Sequence, residues 1–460
     1  MGPDMDLSMS STFKTVIIAF SILAGAMSLP LPGGAAGPAV QNKDEKANME
    51  KANLHGDGIH DDAAAIQALL DSGISCVALP APAKNYAIGR SLRLRSGQTL
   101  RLEPTTVIRL LPGSSCAMLV NDPAETNAHD IRLAGGIWDM DNANQGANPF
   151  HPEYASDTKY PYRKYGGEGY STERFEKRYH LDTFLGCAIQ FYGIRRLEIR
   201  DVTVRNPVTY GIQVGGLAYF TIENIRFDYE GPRPHRINMD GVHLDGPCKF
   251  GVVRNLQGTT YDDLLALNAD DMASGPIESV AVDGIFANDC LRAVRLLSAE
   301  SRVSDITIAN VFGTFYSNPF EFSQYYATPK RGDFGRIVIR NVFVSCGSHP
   351  EKPAWEGRPL FVMNDKIDIE YLAIDNFHRD EALRAVPCFR IGKSVHIRAL
   401  ALSNISLRNR TGNPITFLDH EGVIDRLVAN NLDVTEPKPA SGAGTVGAFI
   451  TDGSCPGLKF

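Results

Sequence analysis

Three aspartates, Asp240, Asp262 and Asp263, carry the strongest chemical signal in the chain. Asp240 lies in Asn238-Met239-Asp240-Gly241-Val242-His243, and Asp263 follows 23 residues later in Tyr261-Asp262-Asp263-Leu264-Leu265-Ala266. If that interval is one turn of a repeating structure, the two carboxylates occupy the same corner of neighbouring turns, about 4.8 Å apart where parallel strands stack. Their pKa values must then separate, because each charge opposes ionisation of the other. Asp262, one residue earlier, points differently and adds a third carboxylate at the same edge. Such a group provides an acid and a base, the equipment for hydrolysing a glycosidic bond. Stacked carboxylates also cost repulsion that a purely structural role does not need.

Further candidates surround the three. In Arg292-Ala293-Val294-Arg295-Leu296, one turn on, Arg295 falls in the same outward column as His243 and Ala266 and could hold a carboxylate or hydroxyl bidentately. Arg236, with Arg233 and His235, forms a basic loop just before Asn238 and suits an anionic ligand. His243 and Asp245 project outward beside Asn268, Asp270 and Asp271. His243 could orient a carboxylate or a substrate, and a solvated strand face explains the same pattern.

The elements that position these residues are legible as a repeat. An aliphatic residue, any residue, Asn or Asp, then another aliphatic recurs as Ile199-Arg200-Asp201-Val202, Ile222-Glu223-Asn224-Ile225, Val253-Arg254-Asn255-Leu256, Val282-Asp283-Gly284-Ile285 with Gly in the third place, Ile308-Ala309-Asn310-Val311, Ile339-Arg340-Asn341-Val342 and beyond, at intervals of 23 to 35 residues. That period marks a solenoid with variable loops. A second alternating strand lies between these phrases, and it predicts one inward column of Ile212, Val242, Leu265, Val294, Phe320, Phe389 and Ile415. Short strands stacked in parallel around an apolar interior predict an all-β fold, a right-handed parallel β-helix. The recurrent Asn tolerates left-handed backbone geometry and bonds locally in turns, so it reads as architecture. A solenoid end needs a cap, and Ala63 to Leu70 predicts a short helix N-capped by Asp61 or Asp62, with Ile66, Leu69 and Leu70 on its apolar face.

The opening Gly56-Asp57-Gly58-Ile59-His60-Asp61-Asp62, its helix and the strand ending in Pro80 resemble the start of pectin-lyase-like β-helix proteins. Within that superfamily the site resembles glycoside hydrolase family 28, the polygalacturonase and rhamnogalacturonase group. Its Asn-Thr-Asp-Gly motif is similar to Asn238-Met239-Asp240-Gly241, its Gly-Asp-Asp motif to Tyr261-Asp262-Asp263, and its Arg-Ile-Lys motif in part to Arg295-Leu296-Leu297. The resemblance implies that Asp262 is the general acid, that Asp240 and Asp263 position the water that attacks with inversion, and that Arg295 contacts the sugar. This chain departs from the family in three ways. No Gly-His-Gly follows Asp263, Leu297 stands where the family has Lys, and one coil rather than two separates Asp263 from Arg295. Without the Lys, a neutral or differently charged sugar is compatible with that subsite.

Composition bounds the remaining possibilities. The chain has 460 residues, 43% hydrophobic and 22% charged, and a net charge of -7, which describes a folded protein without the basic excess of a nucleic-acid binder. Its eight cysteines are scattered and include no CxxC spacing, so buried thiols are expected, and neither a metal nor a cofactor is implied. Val16 to Leu23 follows Lys14 and precedes Ala26-Met27-Ser28, which predicts a signal peptide over 1–28. A flexible linker over 29–53 and a β-helix domain over 54–460 follow. Residues 141–183 form an insertion whose Tyr and Arg content suits one wall of a carbohydrate cleft or an oligomer contact. The expected protein is secreted or periplasmic, free of the membrane after cleavage, and acts on a polysaccharide or oligosaccharide; its oligomeric state is not legible. A polysaccharide lyase or epimerase using His243 or Tyr261 as base, and a non-catalytic carbohydrate-binding β-helix, are the alternatives.

Overall fold

Each sequence repeat is one coil of a right-handed parallel β-helix, in which strands pair in parallel with the equivalent strands of the coils before and after. The computed structural model describes residues 53–150, 184–229, 236–326, 329–349, 356–364, 366–435 and 450–451. The predicted signal peptide, all but the end of the linker, residues 151–183 of the insertion, Arg233, His235 and Cys455 lie outside the described residues. No helix among the described residues is long and apolar enough to cross a membrane.

Three sheets run along the solenoid. The one that carries the candidate site includes the first residues of strands Ile212–Asp228 and Val242–Thr259, followed by Asp263–Asn268, Arg292–Leu297, Phe320–Ser323, Phe361–Met363, Phe389–Ile391 and Leu418–His420. Inward residues stack in register as Ile212, Val242, Leu265, Val294, Phe320, Phe361, Phe389 and Leu418, and all are buried. The rings of Phe361 stack on Phe320 at 4.5 Å and on Phe389 at 4.8 Å. Burying each such side chain contributes roughly 1.5–3 kcal/mol. The last expected member of the column is corrected: Leu418, not Ile415, pairs with Phe389. The Asn409 side chain closes a turn by accepting from Thr411 and donating to the Asn413 carbonyl, so the chain enters the sheet later and Ile415 is buried just ahead of it.

The other two sheets join at the repeated Asn. Asn224, Asn255, Asn310, Asn341, Asn376, Asn404 and Asn431 all have φ between 51° and 60°. This left-handed bend lets one long strand, such as Gly332–Cys346, serve both sheets. Their side chains also form ladders, with Asn341 donating to Asn310 at 3.0 Å and Asn376 donating to Asn341 at 2.9 Å. Gly284 interrupts the ladder, and there Asn310 turns instead to Asp283 at 2.6 Å.

At the N-terminal end, helix Ala63–Leu70 buries Ala63, Ile66, Leu69 and Leu70 against the first coil. The two adjacent aspartates divide the work. Asp61 accepts from the Ala63 amide at 2.9 Å and from Gly89 at 3.0 Å, while the Asp62 side chain makes no cap bond and holds the incoming chain through the His55 and Gly56 amides. The seven described cysteines are free thiols, five of them buried.

Asn341→Ala loses ladder bonds on both sides and the polar side chain that lets Asn tolerate left-handed geometry, so it is expected to destabilise by about 3 kcal/mol. Asn341→Gly should cost about 1–2 kcal/mol less because glycine accepts that backbone. Urea unfolding of the two variants checks the order; equal losses would deny the bend its role.

Candidate active site

Register builds the site. The Asp240 carbonyl accepts from Gly211 and the Asp263 carbonyl accepts from Gly241, both at 2.9 Å, so the two aspartates are equivalent corners of successive coils. Gly241 is required between them, since a Cβ there would lie 2.4 Å from the Leu264 carbonyl oxygen and 2.7 Å from the Phe227 ring. Carboxylate oxygens of Asp240, Asp262 and Asp263 lie within 4.8 Å of one another. Asp240 and Asp263 are only 2% and 1% exposed, whereas the Asp262 side chain is 21% exposed. Asp262 is therefore the member that faces a ligand.

Arg292 organises this trio. It pairs in register with Asp263, and its Nη1 donates to Asp263 at 2.9 Å and to Asp262 at 3.1 Å. Its Nε donates to Glu321 at 2.7 Å, and Asn318 donates to the same Glu321 oxygen at 3.3 Å. Neither Arg292 nor Glu321 stood out in the sequence as a site residue. Counting back two residues from the inward Val294 would have placed Arg292 beside Asp263, but nothing in the sequence marks Glu321 as its partner.

His243 lies in one outward row with Gln213, Ala266, Arg295 and Glu321. Its Nδ1 lies 2.6 Å from Asp240 Oδ2, and its Nε2 faces Asp245 at 3.4 Å and Asp271 at 3.5 Å. Tyr210 stacks on the imidazole at 4.2 Å, and Phe150, from the start of the insertion, packs on Tyr210. The expectation that His243 and Asn268 offer themselves to a substrate is thus corrected. Both are buried, at 2% and 1% exposure, because residues distant in sequence roof this face of the sheet. Asn268 instead donates to Asp271 at 2.9 Å.

The other candidates are spread around the trio. The Arg295 guanidinium sits 4.7 Å over the exposed Tyr325 ring; among the described residues it makes no ion pair, and its Nε has no hydrogen-bond partner. Arg236 donates to the Tyr261 hydroxyl at 2.8 Å and covers that ring at 4.4 Å. Asn238 is half-buried with φ of 50°, so its place in the motif is met by backbone geometry.

Burial and mutual repulsion set the protonation of the cluster. Burial raises the Asp240 carboxyl to about 8, with the nearby Asp262 charge adding to it against the His243 bond. Burial likewise lifts Asp263 to about 6, although Arg292 opposes the shift. Near neutral pH the Asp240 carboxyl therefore keeps its proton while Asp263 is the more acidic of the two. Burial would raise Glu321 too, but Arg292, Arg295 and Arg358 together pull it down to about 2. At the next row, the charges of Asp245, Asp240 and Asp271 outweigh burial and raise His243 well above its ordinary value.

Comparison with known proteins follows the fold. No family model matches the sequence, and no curated protein sequence matches it. Among solved structures, the chain is similar to the endo-xylogalacturonan hydrolase of Aspergillus tubingensis, with 14% identity over 88% of this chain and 99% of that one and a TM-score of 0.54. It is also similar to a doubly substituted tailspike protein of E. coli bacteriophage HK620 in complex with a pentasaccharide, with 12% identity over 82% of this chain and 62% of that one and a TM-score of 0.51. A hyperthermoactive exopolygalacturonase from Thermotoga maritima aligns at 13% identity over 83% of this chain and 91% of that one, with a TM-score of 0.46.

Replacing Arg292 by Met strands two buried carboxylates, Asp263 and Glu321, and is expected to cost about 3–5 kcal/mol at neutral pH. The Glu321 pairing has a folded pKa below the ordinary 4.5, so its stabilisation is present above that pH and lost as pH falls toward about 2. Over the same range Arg292→Met should gain stability, because its unpaired carboxylates prefer the proton. Thermal unfolding from pH 2 to 7 checks this crossing of the two curves; parallel curves would contradict it. Coil register and this network place the trio on one face of the right-handed parallel β-helix that the chain adopts.

Proposed function

We propose that the protein is an exported glycoside hydrolase that cleaves an acidic, pectin-like polysaccharide by carboxylate acid and base catalysis. One observation carries this reading: three carboxylates share one corner of the sheet, and only Asp262 is open to a ligand. Asp262 gives its proton to the leaving glycosidic oxygen, and Arg292 Nη1, 3.1 Å away, stabilises the carboxylate that remains. Asp240 and Asp263 hold the attacking water. His243 is a positioning residue that fixes Asp240 through its 2.6 Å bond.

Inversion suits this arrangement. The trio is tighter than the roughly 6.5–9.5 Å usual for inverting pairs. Retention, however, needs a carboxylate that touches the anomeric carbon, and Asp240 and Asp263 are too buried to do so. Arg295, charged and unpaired beside the exposed Tyr325 ring, supports recognition of an anionic sugar stacked on an aromatic face. Burial of His243 leaves the lyase alternative with Tyr261 alone as a base, and that hydroxyl already accepts from Arg236. A pentasaccharide bound to the tailspike neighbour is consistent with a carbohydrate ligand on this fold, including one that is bound without being cleaved.

Asp262→Asn keeps the shape of the trio and removes the proton donor, so turnover of pectic oligosaccharides should fall about 10²–10⁴-fold. In the wild type, kcat/KM should decline below an apparent pKa near 6, where the buried Asp263 takes up a proton and can no longer hold the water as a base. Steady-state kinetics across a substrate panel and pH 4 to 9 measure both effects, and full turnover by Asp262→Asn would remove the assignment.

A further inference from the structure

Beside the trio lies a second cluster, whose two carboxylates the proposed hydrolysis does not use. His243 Nε2, an Asp245 oxygen and an Asp271 oxygen lie within 4.8 Å of one another. The histidine is 3.4 Å from Asp245 Oδ1 and 3.5 Å from Asp271 Oδ2. A charged hydrogen bond would close to about 2.7–2.9 Å. Ligand atoms around a tetrahedral ion with bonds of about 2.0–2.1 Å stand roughly 3.3–3.4 Å apart, close to the distance from the histidine nitrogen to each carboxylate.

Two buried polar atoms here have no hydrogen-bond partner among the described residues: His243 Nε2 and Asn268 Oδ1. Asn268 is the register neighbour of Asp245, and its Nδ2 reaches the same Asp271 oxygen that faces the histidine. Leaving such atoms unpaired in a protein interior costs about 1–3 kcal/mol each. The surroundings are also those of a metal-ligand shell. His243 is oriented through its other nitrogen by Asp240, Asp245 is held by the Gln213 side chain and the Met272 amide, and Asp271 accepts from the Tyr326 hydroxyl. The trio differs, because Arg292 already supplies the positive charge between Asp262 and Asp263.

We propose that His243, Asp245 and Asp271, with the Asn268 carbonyl oxygen beside them, bind one divalent first-row transition ion such as Zn²⁺ or Mn²⁺. Imidazole together with carboxylate and amide oxygens favours this class over Ca²⁺, which takes oxygen ligands alone. With the ion on Nε2, the His243 proton resides on Nδ1 and points at Asp240, so the ion fixes the tautomer that orients the trio. The site stands on its own geometry, independently of the hydrolase reading.

The test is stoichiometric binding by the full-length folded protein, stripped with chelator and titrated calorimetrically with Zn²⁺ and, separately, Mn²⁺. One equivalent per chain is expected, with a raised Tm. Asp271→Asn should weaken binding at least tenfold, and Asp262→Asn should bind like the wild type. A Co²⁺ absorption spectrum of the wild type gives a direct signature should Asp271→Asn fail to fold. Absence of stoichiometric uptake of either ion, uptake indifferent to Asp271→Asn, or uptake lost in Asp262→Asn would each overturn the proposal.

Discussion

Parallel stacking of coils is the constraint on which everything else rests. Backbone bonds between successive coils fix equivalent residues at a separation of about 4.8 Å, so whatever one coil presents, the next must accommodate. Where the column is apolar this gives the Phe320, Phe361 and Phe389 stack. At the bends it gives the asparagine ladder, in which each side chain satisfies its neighbour. Where the column is acidic, the same rule forces Asp240 and Asp263 into a proximity that solvent alone would not support.

The structure answers that crowding with charge. Arg292 spans Asp262, Asp263 and Glu321, so the arginine of one coil is shared by carboxylates of the coil before it and the coil after it. A buried network of this kind adds little net stability but is costly to break, which ties the shape of the site to the integrity of the solenoid. Chemistry follows from the residual imbalance. Asp262 touches both Arg292 and open space, while Asp240 and Asp263 have neither exposure nor freedom to move. In the proposed hydrolysis Asp262 is therefore the carboxyl that can reach a substrate.

Much of this was legible in the sequence because it depends on period and alternation. The Asn phrases, the inward column as far as Phe320 and the adjacency of Asp240 and Asp263 all follow from counting residues, whereas Phe361, the next member of the column, is not among those expected. Alternation assigns a residue to a face but does not reveal what covers that face. His243 and Asn268 do point away from the solenoid core, yet Tyr210, Phe150 and the loop bearing Tyr326 bury them. The Arg292–Glu321 bridge is hidden for a related reason: its partners are 29 positions apart, across a loop whose length the repeat does not specify. Likewise the Asn409 turn, closed by a side chain, shifted the final strand to Leu418.

The chemistry of the cleaved product tests the central claim most directly. The wild-type protein, incubated with acidic pectic oligosaccharides and followed by NMR, should generate new reducing ends whose first-formed anomer is inverted, with water incorporated at the cleaved bond. Unsaturated uronides with ultraviolet absorbance would contradict the account, since they require proton abstraction from the sugar rather than attack by a water held between Asp240 and Asp263.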